Sequence, residues 1–140
     1  MPLHPDRSPG FLLWHVTLRW QREMAAALTP LGLTHVQFVL LATAWWLNTH
    51  EEKTNQLSLA TRAGTDVKMT SQVLRRLEDK GLISRAADPA DTRAKLLRVT
   101  EQGAELAQRA IAAVEAADAA FFAPAAGSAL LETLGHLADR

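Results

Sequence analysis

The chain contains neither cysteine nor tyrosine among its 140 residues. The lack of cysteine excludes disulfides, thiolate catalysis, cysteine-ligated metal and thiol-based redox sensing. A membrane-spanning helix needs about 18 apolar residues, whereas the richest apolar stretch, residues 38–47, has about ten. The first ten residues also lack the basic and then apolar layout of a signal peptide. We therefore expect a cytoplasmic protein that does not enter a membrane.

Sequence signals of enzymes and metal sites are missing as well. There is no glycine-rich phosphate loop and no Gly-x-Ser-x-Gly elbow. The five histidines are scattered, and no two have the i, i+4 spacing that places two imidazoles on one helix face. The sequence predicts that the protein is not an enzyme and needs neither a metal ion nor a cofactor.

The net charge is zero, but the charges are unevenly distributed along the chain. Residues 62–98 carry nine basic and five acidic side chains, a net charge of +4, whereas residues 1–61 are neutral and residues 99–140 carry −4. A basic segment inside a neutral protein is typical of a module that binds a polyanion.

Two apolar stripes run along residues 11–29 at the three- and four-residue spacing of a helix. A helix with two stripes must be covered on two sides, and a partner subunit is the economical cover in a chain of this length. The sequence predicts that residues 1–32 form an N-terminal dimerisation region.

Start and stop signals of three further helices follow. A capping box at residues 34–37 opens a helix that ends near residue 48. A short helix over residues 56–63 stops at Gly64, and a third helix begins at the N-cap Asp66 and runs to Lys80. The last two, joined by a tight turn containing glycine, predict a helix-turn-helix.

Two short strands, residues 82–86 and 95–99, are predicted after this unit, with a turn over residues 87–92. A long alanine-rich helix then starts at Thr100, and a short last helix follows a cap at Ser128. The fold class is therefore mainly α with a small β-hairpin wing. We predict a winged helix-turn-helix over residues 33–99, with C-terminal dimerisation helices over residues 100–140.

The third helix presents a polar face when it is projected at about 100° per residue. The residues that fall on the side that must pack are Met69, Thr70, Val73, Leu74 and Leu77. The acidic residues lie only at the C-terminal end. Because recognition helices contact base edges mainly through their N-terminal residues, this polarity favours DNA binding. The predicted DNA-contacting residues of this helix are Lys68, Thr70, Ser71, Gln72 and Arg75, although Thr70 projects to the packing side.

The predicted wing adds two basic residues, Arg93 and Lys95. Asp91 lies two residues before Arg93, and its carboxylate can hold the guanidinium by a charge-assisted hydrogen bond that aims it at the minor groove. An ordinary solvated hairpin with a weak surface ion pair is the alternative interpretation.

The spacing of several motifs in residues 33–103 resembles the MarR family of regulators. These are Leu33-Thr34 with Gln37-Phe38, Leu59-Ala60, Leu77-Glu78, Gly81-Leu82-Ile83, Arg85, Asp88-Pro89, Asp91-x-Arg93 and Thr100-x-x-Gly103. The resemblance implies a homodimeric repressor that binds pseudo-palindromic double-stranded DNA. It also implies that the recognition helix lies in the major groove and that Arg93 and Lys95 lie at the minor groove. The chain departs from the family at Gln72 and Thr92, where members often carry basic residues.

Many members of that family release DNA when a small aromatic or phenolic acid binds near the dimerisation helices. The candidate ligand-binding residues here are Trp14, His15, His35, Trp45 and Trp46. Packing in the core or in a dimer interface is the alternative role for these rings. For the whole chain, the alternative function is a winged-helix protein-interaction module without a ligand response.

Overall fold

The structure is a computed structural model that describes residues 2–139, apart from the side chains of Thr92 and Ala94. Its main elements in chain order are α1 (Pro9–Leu28), α2 (His35–Thr49), α3 (Gln56–Ala63), α4 (Val67–Asp79), β1 (Ile83–Asp88), β2 (Asp91–Val99), α5 (Glu101–Phe121) and α6 (Leu130–Leu137). Short 3-10 turns lie at Pro5–Arg7, Thr29–Leu31 and Ala123–Ala125. The predicted order of elements is confirmed, as is the mainly helical fold with one hairpin.

Local capping determines where the central helices begin and end. At the start of α2, the Gln37 backbone N–H donates to Thr34 Oγ1 at 3.2 Å and the Thr34 N–H donates to Gln37 Oε1 at 3.1 Å. Gly64 ends α3 in the left-handed conformation with φ of 71°, and Asp66 Oδ2 accepts from the Met69 N–H at 2.9 Å. The helix-turn-helix is therefore specified by residues within a few positions of each break.

The hairpin is longer than the sequence predicts. β1 and β2 pair antiparallel, with Ile83 opposite Val99, Arg85 opposite Leu97 and Asp88 opposite Asp91, and the register shifts between Ala87 and Asp88. Only residues 89–90 lie outside the strands, so the predicted turn over residues 87–92 was too wide. Turn-forming residues such as Asp88 and Asp91 are paired across the strands, which composition alone does not reveal.

The core lies around α2, whose buried leucines contact the other elements of the winged helix. α1 and α5 complete the same apolar cluster from the other side. Its buried members include Met24, Leu28, Leu40, Leu41, Leu47, Leu59, Leu74, Leu77, Ile83, Leu97, Ala107 and Ala110. The projected packing face of α4 is thus confirmed at Leu74 and Leu77, whereas Met69 is 37% exposed.

α5 follows β2 without a linker. Thr100, the residue between them, donates its N–H to the Leu82 carbonyl at 3.0 Å and its hydroxyl to the Gly81 carbonyl at 2.7 Å, and it caps α5 by accepting from the Gly103 N–H. A Cβ at Gly103 would overlap the Leu82 carbonyl oxygen. The start of α5 is therefore packed directly against the base of the wing.

α1 and α6 leave large apolar side chains exposed. On α1 these are Phe11, Leu12, Leu13, Trp14, Val16 and Leu18, and on α6 they are Leu131, Leu134 and Leu137. α6 begins at Leu130, and Ser128 Oγ accepts from the Leu130 N–H at 3.2 Å although Ala129 occupies the N-cap position. The predicted cap at Ser128 was therefore one residue early.

No single helix in residues 2–139 has both the length and the apolar composition needed to cross a bilayer. The segments Pro9–Leu31 and His35–Thr49 satisfy those criteria only when they are taken together. The angle between these two segments is 73°.

Candidate nucleic-acid interface

α4 presents a continuous polar face. Lys68, Gln72 and Arg75 are exposed, and Ser71 is half-buried beside them. Glu78 and Asp79 lie beyond the last of these cations, at the C-terminal end of the helix. The N-terminal two turns of this face therefore offer cations and hydrogen-bonding groups without a carboxylate between them.

Thr70 does not belong to this face, and its inclusion among the DNA-contacting residues was wrong. The residue is 0% exposed. Its hydroxyl donates to the Asp66 carbonyl at 2.7 Å and is hydrogen-bonded to the Thr65 hydroxyl at 2.6 Å. Thr70 fixes the turn between α3 and α4, and thereby the angle at which α4 leaves α3.

A groove of about 350 Å³ lies between the start of α2 and α4. Its lining contains Thr34, Gln37, Gln72, Val73, Arg75, Arg76 and Asp79. Lys80 Nζ joins the two helices by donating to the Gly32 carbonyl at 2.7 Å and to Gln37 Oε1 at 3.1 Å. Sequence reasoning did not include Arg76, whose position on the groove depends on how α2 crosses α4.

On the wing, Arg93 and Lys95 are both exposed. Asp91 Oδ1 accepts from the Arg93 backbone N–H at 3.0 Å. In the part of the chain that the structure describes, no ion pair joins Asp91 to the Arg93 guanidinium. In place of the expected charge-assisted contact, the Asp91 carboxylate accepts from the backbone of Arg93. Asp91 orders the strand that carries Arg93.

A second groove, of about 480 Å³, separates the wing from the start of α3. Arg85, Arg93 and Lys95 all line it, together with Asp91 and the polar residues Asn55 and Gln56. Arg85 Nε lies 3.7 Å from Glu78 Oε1 at the end of α4. Sequence reasoning treated Arg85 only as a family motif, since β1 had to be paired with β2 before the residue could be placed in this groove.

A third group of polar residues connects the wing to the segment between α2 and α3. Asp88 is 3% exposed, and its Oδ2 lies 2.6 Å from Lys53 Nζ. The hydrogen bond from Lys53 lowers the pKa of Asp88 below its ordinary value, and the bond from the Ala90 N–H acts in the same direction. Sequence reasoning missed Lys53 because its partner is 35 positions away in the chain.

The five candidate ligand-binding residues do not come together within one protomer. Trp14 is 62% exposed on α1, and His15 packs edge-on against Phe11. His35 and Trp46 lie at opposite ends of α2, about 16 Å apart at the rise of an α-helix. Within one protomer these residues therefore lie on separate parts of α1 and α2, and their role in ligand binding stays a prediction.

Trp45 and Trp46 do share a shallow cavity of about 370 Å³ with Arg62 and Ile111. Trp46 is stacked on His50 with ring centroids 3.9 Å apart, and the Arg62 guanidinium carbon lies 5.0 Å from the Trp46 ring centroid. This geometry allows a cation–π contact and leaves a guanidinium at the cavity edge.

The exposed polar face of α4, the basic hairpin and the short tight turn before α4 define a winged helix-turn-helix protein. Residues 33–95 match the MarR family. Over 121 residues the chain is 47% identical to the uncharacterized HTH-type transcriptional regulator YdcH of Bacillus subtilis, a match that covers 86% of this chain and 82% of that protein. The chain belongs to the MarR family.

Two further relatives have solved structures. The HTH-type transcriptional repressor Rv2887 of Mycobacterium tuberculosis is 37% identical over 85% of this chain and 83% of its own. Its structure in complex with DNA superimposes with a TM-score of 0.66, at 34% identity and 85% coverage of both chains. CouR from Rhodococcus jostii RHA1, bound to p-coumaroyl-CoA, gives a TM-score of 0.82 at 30% identity, covering 98% of this chain and 96% of that one.

Proposed function

We propose that the protein is a homodimeric transcriptional repressor that binds pseudo-palindromic double-stranded DNA in the cytoplasm. The observation that carries this proposal is the face of α4, on which Lys68, Gln72 and Arg75 are exposed with no carboxylate among them. Arginine can pair with guanine and glutamine with adenine through two hydrogen bonds each. The DNA complex of Rv2887 supports the same role for this chain.

The proposed contacts divide between the two grooves of DNA. Lys68, Ser71, Gln72 and Arg75 would lie in the major groove, and Arg93 and Lys95 would reach the minor groove from the wing. The half-buried Ser71 is suited to a base or phosphate close to the helix axis. Residues 33–99 form the DNA-binding region in this proposal, with residues 1–32 and 100–140 providing dimerisation.

The exposed apolar residues of α1 and α6 support a dimer. Two α4 helices related by a two-fold axis would meet successive major grooves, so the half-sites would lie about 10 bp apart or a small multiple of that spacing.

Selection of bound duplexes from random-sequence DNA tests this function, followed by affinity measurements on the selected sequence. We expect a two-fold related site, and we expect Arg75→Ala and Arg93→Ala each to weaken binding by about 1–3 kcal/mol, or roughly 5- to 150-fold. Arg109→Ala, which removes the same charge from an exposed position on α5, is the control, provided that sedimentation velocity shows it to be dimeric like the wild type. Failure to bind any duplex at low salt would instead favour a protein-interaction module.

We further propose that a small aromatic acid releases the protein from DNA. The structure of CouR bound to p-coumaroyl-CoA supports a ligand response, and the cavity beside Trp45 and Trp46 offers an aromatic wall with the Arg62 cation at its edge. Titration with salicylate should quench tryptophan fluorescence and lower DNA affinity together. A flat fluorescence response with unchanged DNA affinity would remove this part of the proposal.

A further inference from the structure

The base of the wing is bonded to the body of the protein along the edge of β2 that faces away from β1. The Leu97 N–H donates to the Thr54 carbonyl at 2.8 Å, and the Val99 N–H donates to Asn48 Oδ1 at 2.8 Å. Asn48 Nδ2 in turn donates to Thr54 Oγ1 at 3.1 Å. These bonds fix the lower half of β2 relative to the end of α2.

The tip of the wing lies beyond these hydrogen bonds. An ion pair between Lys53 and Asp88 connects this tip to the body of the protein. Asp88 is the last residue of β1 and is buried at the tip, with its Oδ1 accepting from the Ala90 N–H at 2.9 Å. Its Oδ2 lies 2.6 Å from Nζ of Lys53, which belongs to the segment between α2 and α3. One carboxylate therefore closes the turn and also ties that turn to the body.

An ion pair between two exposed side chains contributes little because both partners move and are solvated. This pair differs in that Asp88 is 3% exposed and held by the turn, so only Lys53, whose side chain is 52% exposed, has conformational freedom to lose. The carboxylate is also kept charged, since its pKa lies below the ordinary value. This geometry indicates that the Lys53–Asp88 ion pair fixes the position of the wing tip.

The Lys53–Asp88 ion pair lies near Arg93, the proposed minor-groove contact. Asp88 is opposite Asp91 in the hairpin, and Asp91 orders the Arg93 N–H. Displacement of the turn would therefore move the strand segment that carries Arg93.

We propose that Lys53 is a positioning residue for DNA binding, which holds the wing tip through Asp88 so that Arg93 is presented to the minor groove. This inference rests on the proposed role of Arg93 in DNA binding. Lys53 itself does not contact DNA in this proposal.

A double-mutant cycle on the duplex of highest affinity from the random-sequence selection tests the inference. We expect Lys53→Ala to weaken binding by about threefold or more in the wild-type chain and by less than about twofold in the Arg93→Ala background, since coupled residues are non-additive. Lys53→Arg keeps a cation for Asp88 and should retain the wild-type affinity within about twofold. Because Lys53→Ala leaves the buried Asp88 carboxylate without its cation, its thermal unfolding midpoint should fall, so all affinities are compared well below that midpoint.

A measurement without DNA gives an independent readout. Hydrogen exchange at the Ala90 amide, which is bonded to Asp88, should be faster in Lys53→Ala than in Lys53→Arg or the wild type.

Two results would overturn the inference and leave the proposed function standing, provided that Arg93→Ala weakens binding. The first is an unchanged affinity in Lys53→Ala. The second is an equal loss in both backgrounds, which would make Lys53 a direct phosphate contact. If Arg93→Ala itself binds as tightly as the wild type, both the inference and the proposed minor-groove contact are wrong.

Discussion

His35 joins three helices at the start of α2. Its ring packs edge-on against Trp20 of α1, with 5.0 Å between the ring centroids, and Trp20 Nε1 donates to Asp118 Oδ1 of α5 at 2.8 Å. Burial lowers the pKa of His35 below the ordinary 6.5, and the Asp118 carboxylate opposes this change only in part. The imidazole is therefore neutral at neutral pH and serves as a packing group.

This pKa shift predicts a loss of stability in mild acid. As pH falls below about 6.5, the unfolded chain binds a proton at His35 before the folded chain does, so the free energy of unfolding decreases until pH passes below the folded-state pKa. Above about pH 6.5 the neutral His35 makes its full contribution to the free energy of unfolding. We expect urea unfolding at fixed protein concentration to show a smaller pH slope between about pH 7.5 and pH 5 in His35→Gln. Identical slopes would contradict this assignment.

Among the elements, α4 carries the most direct prediction about affinity. Gln72 is exposed between Lys68 and Arg75 on the proposed DNA face. Gln72→Arg adds a cation to the proposed DNA face, so we expect tighter binding to non-specific duplex and a plot of log K against log salt that is steeper by about one unit. The measurement is a salt titration of duplex affinity for the Gln72→Arg variant and for the wild type.

The control for this prediction is Gln108→Arg, which adds the same charge at an exposed position on α5 and should sediment as the wild type does. An equal change of salt slope in both variants would show that the effect comes from net charge and not from the face of α4.

The sequence predicted the helices well because their ends are determined locally. The capping box at Thr34, the N-cap at Asp66 and the left-handed Gly64 act within one turn of the residues they cap. The strands were less predictable. Asp88 and Asp91 are typical turn residues, and only their pairing with each other shows that the strands extend to them.

The residues of the candidate site also divide into those that the sequence predicts locally and those that it does not. Lys68, Gln72 and Arg75 could be selected from charge and helical spacing alone. Arg76, Arg85 and Lys53 required knowledge of which helix or strand lies beside them, since each one lines a groove or pairs with a residue from another element. The five candidate ligand-binding residues were chosen from aromatic and histidine content, which does not show which rings lie near each other. Of these residues, Trp45 and Trp46 line one cavity together.

At the scale of the whole molecule, the exposed apolar side chains of α1 predict a dimer that polar substitution weakens. Leu13 is 57% exposed on α1. Leu13→Glu would place a carboxylate in the proposed interface, where an unpaired charge is costly. We expect sedimentation velocity to show a shift toward monomer and the affinity for the two-fold site to fall with it.

Leu57→Glu is the matched control, because Leu57 is 67% exposed on α3, outside the proposed dimerisation regions. This variant should remain dimeric. A Leu13→Glu protein that sediments as the wild type does would place the interface elsewhere.

The junction between β2 and α5 couples the orientation of the long helix to that of the wing base. Thr100 is bonded to the carbonyls of Gly81 and Leu82, and the lack of a Cβ at Gly103 lets the first turn of α5 pack closely against the Leu82 carbonyl. α5 has 21 residues and is about 30 Å long, so a rotation of about 5° at its far end would move the wing base by roughly 3 Å. In the proposed dimer, a small change of angle between the two subunits would therefore change the distance between their recognition helices by an amount comparable to the rise of one base pair.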